Sequence, residues 1–183
     1  MDGPSYRYYP LNEEESQFRL VTILPGNWAD EVQCTLKTWS WEGRPSYEAL
    51  SYVWGNASDR RRIWLDNTPF YATANLEHAL RFIRQPYPRT LWIDAICVNQ
   101  EDLDERSSQV QLMRRTYREA SNVVFWIGNE GAESRLAFHL LHLVDKLVNG
   151  PNPPPTGQRA VASLYYDILM RPYWERAWII QEV

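Results

Sequence analysis

Little in this chain would send it across a membrane. The first twenty residues, opening Met1-Asp2-Gly3-Pro4 and passing through Glu13-Glu14-Glu15, have neither a basic start nor an apolar run, so no secretory signal is expected there. No later stretch reaches the roughly 20 consecutive apolar residues that a bilayer span needs. Cysteine is scarce too: Cys34 and Cys97 are the only 2 in 183 residues, each in an apolar stretch without metal-ligand spacing around it. They read as buried free thiols of a reducing compartment, and the expected location is the cytoplasm.

Excess positive charge is missing as well. With 19 basic and 23 acidic residues the net charge is -4, and the scattered basic residues leave no electrostatic footprint for nucleic acid. The one cluster, Arg60-Arg61-Arg62 beside Asp59 and Asp66, reads as a solvated turn. His139 and His142 lie one turn apart in a helical pattern but lack a third ligand, so a surface pair is favoured over zinc and no metal is expected. Gly128-Asn129-Glu130-Gly131 lacks dinucleotide-fingerprint spacing, and no phosphate-loop Lys-Ser or Lys-Thr pair occurs. No bound cofactor is therefore expected. What the chain does have is aromatic residues, 9 Trp and 11 Tyr, which enrich both cores and recognition surfaces.

Length and apolar patterning predict one domain over residues 1–183. Residues 18–24 and 31–39 flank Pro25-Gly26-Asn27 and predict two strands joined by a turn. Residues 47–54 predict a strand stopped by Gly55-Asn56, and 62–66 with 69–72 a hairpin around Asn67-Thr68. Leu76, Leu80 and Ile83 mark a helix over 75–84, closed by Pro86 and Pro88. Residues 90–96 predict a buried strand containing Asp94, where a carboxylate needs a partner or a role. Asp102 and Glu105 have capping-box spacing for the next helix, with a buried stripe expected at Val110, Met113, Tyr117 and Ala120. Residues 122–127 predict another strand, Leu136, Leu140, Leu143 and Leu147 a helix, and 158–170 a further helical pattern after the proline-rich stretch 150–155. Alternation of strand and helix from Thr90 onward predicts an α/β fold, its mostly parallel sheet flanked by helices and joined by an antiparallel β annex from the first half.

Ligands of open parallel sheets bind beyond the carboxyl ends of the strands. Three loops meet that condition: Ser51-Tyr52-Val53-Trp54-Gly55-Asn56, Asp94-Ala95-Ile96-Cys97-Val98-Asn99-Gln100, and Gly128-Asn129-Glu130-Gly131. Asp94 can serve a ligand or cap its loop, while Asn99 and Gln100 more naturally satisfy backbone groups at the helix entry. Cys97 and His78 can be drawn as nucleophile and base, yet nothing nearby in sequence would activate the thiol. The first catalytic candidate is Glu182, one helical turn past Trp178. An apolar neighbour shifts a carboxylate's pKa and strengthens its pull on a developing positive charge. The alternative is that Trp174 and Trp178 are core anchors and Glu182 faces solvent.

Three blocks, Tyr47-Glu48-Ala49-Leu50-Ser51-Tyr52-Val53-Trp54-Gly55, then Leu91-Trp92-Ile93-Asp94-Ala95-Ile96-Cys97-Val98-Asn99-Gln100, then Arg176-Ala177-Trp178-Ile179-Ile180-Gln181-Glu182, resemble the heterokaryon incompatibility (HET) domain of filamentous fungi. That resemblance implies a cytoplasmic trigger of programmed cell death, forming the N-terminal part of a longer protein. A more distant resemblance, to the Trp-Cys-x-x-Glu-Leu stretch of TIR domains, rests on Trp178-Ile179-Ile180-Gln181-Glu182-Val183, with Ile179 in place of the cysteine. It implies a TIR-like, flavodoxin-like fold and cleavage of NAD as substrate. Glu182 would stabilise the oxocarbenium-like state as nicotinamide leaves, by the logic of glycosidases. Trp54 or Trp178 would stack on a ring, and Ser51, Tyr52, Gly55 and Asp94 would complete the nucleotide contacts. Self-association and an activating protein partner are expected. The rival expectation is a non-catalytic module that oligomerises and recruits partners.

Overall fold

The computed structural model describes residues 6–12 and 15–129, together with His139. Those up to Trp126 belong to one compact unit. Expectations on residues 130–183 other than His139, including Trp178, Glu182 and the two later helical patterns, lie outside the described residues.

Seven strands occur among the described residues: β1 (Phe18–Ile23), β2 (Gln33–Trp39), β3 (Glu48–Tyr52), β4 (Arg60–Leu65), β5 (Thr68–Thr73), β6 (Arg89–Trp92) and β7 (Asn122–Trp126). They form one sheet in the order β5-β4-β2-β1-β6-β3-β7. β3 runs parallel to both of its neighbours, β6 and β7. β1 runs antiparallel to both of its own, β2 and β6. The hairpin β4–β5 is antiparallel and meets β2 in parallel through two paired residues, Gln33↔Trp64 and Cys34↔Leu65.

The class is α/β, but the mostly parallel sheet with a separate annex is corrected to one mixed sheet whose antiparallel ladders pair more residues than the parallel ones. The cause lies in β1, where Phe18, Leu20, Val21 and Ile23 are all buried. A strand apolar on both faces belongs in a sheet's interior, so the first half of the chain supplies the centre of the sheet rather than an annex.

The helices among the described residues are α1 (Ala74–Ile83), α2 (Asp94–Cys97) and α3 (Leu103–Arg118). Thr73 caps α1 by accepting from Leu76 N, and Leu76, Leu80 and Ile83 are buried at helical spacing. The strand expected over 90–96 ends at Trp92. Asp94 Oδ1 takes the amide of Ala95 at 2.7 Å and Cys97 N donates to Ile93 O at 2.7 Å, a local pairing that competes with the ladder. The hairpin turn falls on Asp66-Asn67, one residue before the expected pair, and both residues take positive φ, 49° and 60°. That is the conformation two-residue hairpin loops demand, and Asn tolerates it.

Asp102 caps α3 by accepting from Asp104 N and Glu105 N. Glu105 does not return the bond as a capping box would; its carboxylate joins Arg19 instead. That pairing fixes the inward face at Glu105, Gln109, Met113, Thr116 and Tyr117, leaving Val110 exposed against expectation. One core gathers Leu20, Val21, Leu50, Ile63, Leu76, Leu80, Leu91 and Ile96.

Candidate functional site

The chain leaves β3 at Tyr52 and is caught at once by α1. Asn75 Nδ2 donates to Val53 O at 2.5 Å, and Asn75 Oδ1 accepts from Trp126 Nε1 at 3.0 Å. One amide thus fixes the carboxyl ends of β3 and β7. Gly55 turns the chain with φ +75°, and a Cβ there would stand 3.2 Å from Asn75 Cβ. Between these fixed points Trp54 projects outward, 43% exposed.

Its indole meets the end of β6. Trp54 Nε1 donates to Asp94 Oδ2 at 2.8 Å, while Oδ1 of the same carboxylate holds the Ala95 amide. Asp94 therefore caps its loop, one of the two roles its position allowed, and also holds the Trp54 indole. Gln100 Nε2 donates to Asp94 O at 3.0 Å, and Asn99 Oδ1 accepts from Glu101 N at 3.3 Å. The two amides serve the backbone.

Behind the loop lies a buried charge pair. Arg19 Nη1 and Nη2 reach the two oxygens of Glu105 at 2.6 and 2.9 Å, the fork geometry that makes guanidinium–carboxylate pairs strong. Arg19 also donates to Cys97 O at 3.0 Å and Tyr9 O at 2.6 Å, and Glu105 Oε1 accepts from Asn99 N at 2.7 Å. Tyr8 adds a strap, its hydroxyl donating to Ile96 O at 2.9 Å while the Arg19 guanidinium lies 4.9 Å from its ring centre. Burial raises the Tyr8 phenol well above its usual range, so it stays a protonated donor. The loop after β6 is held from β1, α3 and the N-terminal segment together.

These parts enclose a cleft of about 290 Å³, near the lower end of the range for small-molecule sites. Trp54, Ala95, Asn99 and Gln100 form one wall; Phe70, Tyr71 and Thr73 of β5 form the other, with Tyr6 and Tyr8 also in the lining. Arg60 and Glu101 are its charged lining residues. A larger hollow of about 470 Å³ runs along α3 past Asp102, Asp104 and Gln109. Among the described residues its lining holds no aromatic side chain, and its Glu105 is already engaged by Arg19.

Of the predicted site residues, Trp54 lines the cleft and Asp94 binds its indole. Gly55 makes the turn beside it, whereas Ser51 and Tyr52 are buried in β3 and absent from the lining. Trp178 and Glu182 lie outside the described residues. Cys97 is fully buried and its thiol is pushed up to about 12, chiefly by burial, so thiolate is essentially absent at neutral pH. His78 packs instead among the rings of Trp28, Phe82 and Trp126. No group of three or more His, Cys, Asp or Glu residues among the described residues could hold a metal ion. No helix among them is long and apolar enough to cross a membrane.

Sequence reasoning missed Tyr6, Tyr8, Phe70, Tyr71 and Arg60, and the pair behind the loop. Arg19 did carry a signal, because a charge between Phe18 and Leu20 in an apolar strand needs a buried partner.

The heterokaryon incompatibility protein (HET) family matches over residues 47–182. Heterokaryon incompatibility protein 6, OR allele, of Neurospora crassa is 36% identical over 139 residues, covering 68% of this chain and 20% of the relative. The chain thus spans about a fifth of the length of that curated relative. No solved structure matches it.

Proposed function

Because the chain belongs to the heterokaryon incompatibility family, which supports a role in fungal incompatibility, we propose that it is the effector part of that response and triggers programmed cell death by TIR-like cleavage of NAD. The observation that carries the proposal is the cleft beyond the carboxyl ends of β3 and β6, where an exposed indole, Trp54, is aimed by Asp94 and faces the aromatic side chains of β5. Ligand sites of parallel strands form at such ends. In the proposed reaction the bond between ribose C1′ and the nicotinamide nitrogen breaks, and the electron pair leaves with nicotinamide. Water adds to C1′ and releases a proton, giving ADP-ribose. Glu182 supplies the carboxylate that stabilises the sugar cation. The protein acts in the cytoplasm, after self-association and with an activating protein partner.

A second reading, a non-catalytic module that oligomerises and recruits partners, is favoured by one observation. Trp28 and Phe82 are 55% and 52% exposed and stack edge to face at 4.9 Å, and exposed aromatic anchors are typical of interfaces.

Nicotinamide release from NAD by the concentrated, self-associating chain separates the two. Turnover abolished by Glu182→Gln and reduced by Trp54→Ala is the expected result. Turnover that survives Glu182→Gln removes Glu182 from the mechanism, and none under any assembly condition favours the recruiting module.

A further inference from the structure

The geometry points to Arg60 as a phosphate anchor that makes the cleft a site for a nucleoside phosphate. This inference deepens the nucleotide reading above and rests on the same cleft. Arg60, Arg61 and Arg62 follow one another at the start of β4 but are used differently. Arg61 pairs with Asp59 at 3.3 Å and Arg62 with Glu31 at 2.5 Å. Arg60 has no carboxylate partner among the described residues. Its Nε donates to Ala57 O and its Nη1 to Tyr71 O, both at 3.1 Å. Those two bonds hold the guanidinium plane against the hairpin and occupy two of its five N–H donors.

The remaining donors belong to the cation in the cleft lining. A fixed fork with donors to spare is the arrangement that recognises phosphate oxygens. Arg60 also pairs in register with Thr73, the residue that caps α1, so the positive end of that ten-residue helix lies beside it and adds to the attraction for an anion. Across the cleft, the Glu101 carboxylate suits ribose hydroxyls, which donate to carboxylates in nucleotide sites. Trp54 and Tyr71, both exposed and both in the lining, offer faces for a base. Phosphate, sugar and base each have a complementary group within one cleft.

The test compares binding of ADP, adenosine and inorganic phosphate to the 183-residue chain by calorimetry, with Trp fluorescence as second readout. ADP is expected to bind about tenfold or more tightly than adenosine, as charge-assisted bonds of this type provide. Arg60→Gln is expected to erase that preference, Arg60→Lys to restore part of it, and Arg61→Gln to leave it intact, all with unchanged melting temperatures. Equal binding of ADP and adenosine overturns the inference, as does no ADP binding, or an equal effect of Arg60→Gln and Arg61→Gln. Binding of inorganic phosphate alone, with adenosine adding nothing, overturns the nucleoside assignment. Nicotinamide release reports separately: Arg60-dependent ADP binding without NAD cleavage refutes cleavage and leaves the anchor standing.

Discussion

Replacing Glu105 with alanine probes how the site loop is held. Side chains of Arg19 and Glu105 are 3% and 9% exposed, so the pair is effectively dry. Glu105→Ala removes both arms of the fork and the acceptor of the Asn99 amide, while Arg19 keeps two carbonyls and the face of the Tyr8 ring against its charge. Breaking a buried pair from one side costs about 3–5 kcal/mol, because the orphaned charge remains buried. With a urea slope of about 2 kcal/mol/M, the unfolding midpoint should fall by roughly 2 M. Asp59→Ala, which breaks the solvated pair with Arg61 at 3.3 Å, should leave the midpoint almost unchanged. The double variant Arg19→Met/Glu105→Leu should recover part of the loss, since it leaves no unpaired charge. Hydrogen exchange at the Asn99 amide supplies a local readout and should accelerate in Glu105→Ala. A midpoint shift no larger than that of Asp59→Ala, with Asn99 protection intact, would refute the assignment of this pair as the loop's anchor.

Three further outcomes can be checked on the same material. Gly55→Ala, at φ +75° and with Asn75 Cβ 3.2 Å away, should destabilise by about 1–2 kcal/mol and lower the melting temperature by a few degrees; an unchanged melt refutes the turn's dependence on glycine. Arg89 holds the Glu48 carboxyl below the ordinary carboxylate range, so its stabilisation is present above the unfolded pKa and is lost as pH falls through the folded one. Between neutral and strongly acid pH, Glu48→Gln should therefore lose less stability than the parent, and equal losses would remove Glu48 from the acid response. Burial pushes the Cys34 and Cys97 thiols up to about 12, so a thiol reagent should label neither in the native protein at neutral pH and both in denaturant; rapid native labelling contradicts their burial.

Features written in local chemistry were legible in the sequence. Leu76, Leu80 and Ile83 mark the inward face of α1, and Asp102 marks the cap of α3. The stop at Gly55 is likewise a local backbone requirement. The inward face of α3 was not legible from apolar residues alone, since the Arg19–Glu105 pair set its rotation and left Val110 outside. Strand order was hidden because β1 pairs directly with β6, which follows it in sequence only after four other strands. For the site, the carboxyl-end rule found Trp54 and Asp94, but the opposite wall belongs to a hairpin whose position depends on contacts distant in sequence.

Those two walls are joined by a short strap at the start of the chain. Tyr6 donates to Asp66 Oδ2 at 3.0 Å, at the tip of the hairpin, and packs edge-on to Phe70. Two residues later, Tyr8 donates to Ile96 O in the loop after β6. An extended pair of residues spans about 7 Å, so this segment ties hairpin to loop over a short, fixed reach and limits how far the cleft can open. Tyr8→Phe should release the loop end alone, at a cost of about 1 kcal/mol, and Tyr6→Phe the hairpin end alone. Each should speed exchange of the backbone amides on its own side, and the effect of the double change on ADP binding should differ from the sum of the two single effects. Independent, additive effects of the two substitutions on that binding would mean that the tyrosines anchor separate walls without coupling them.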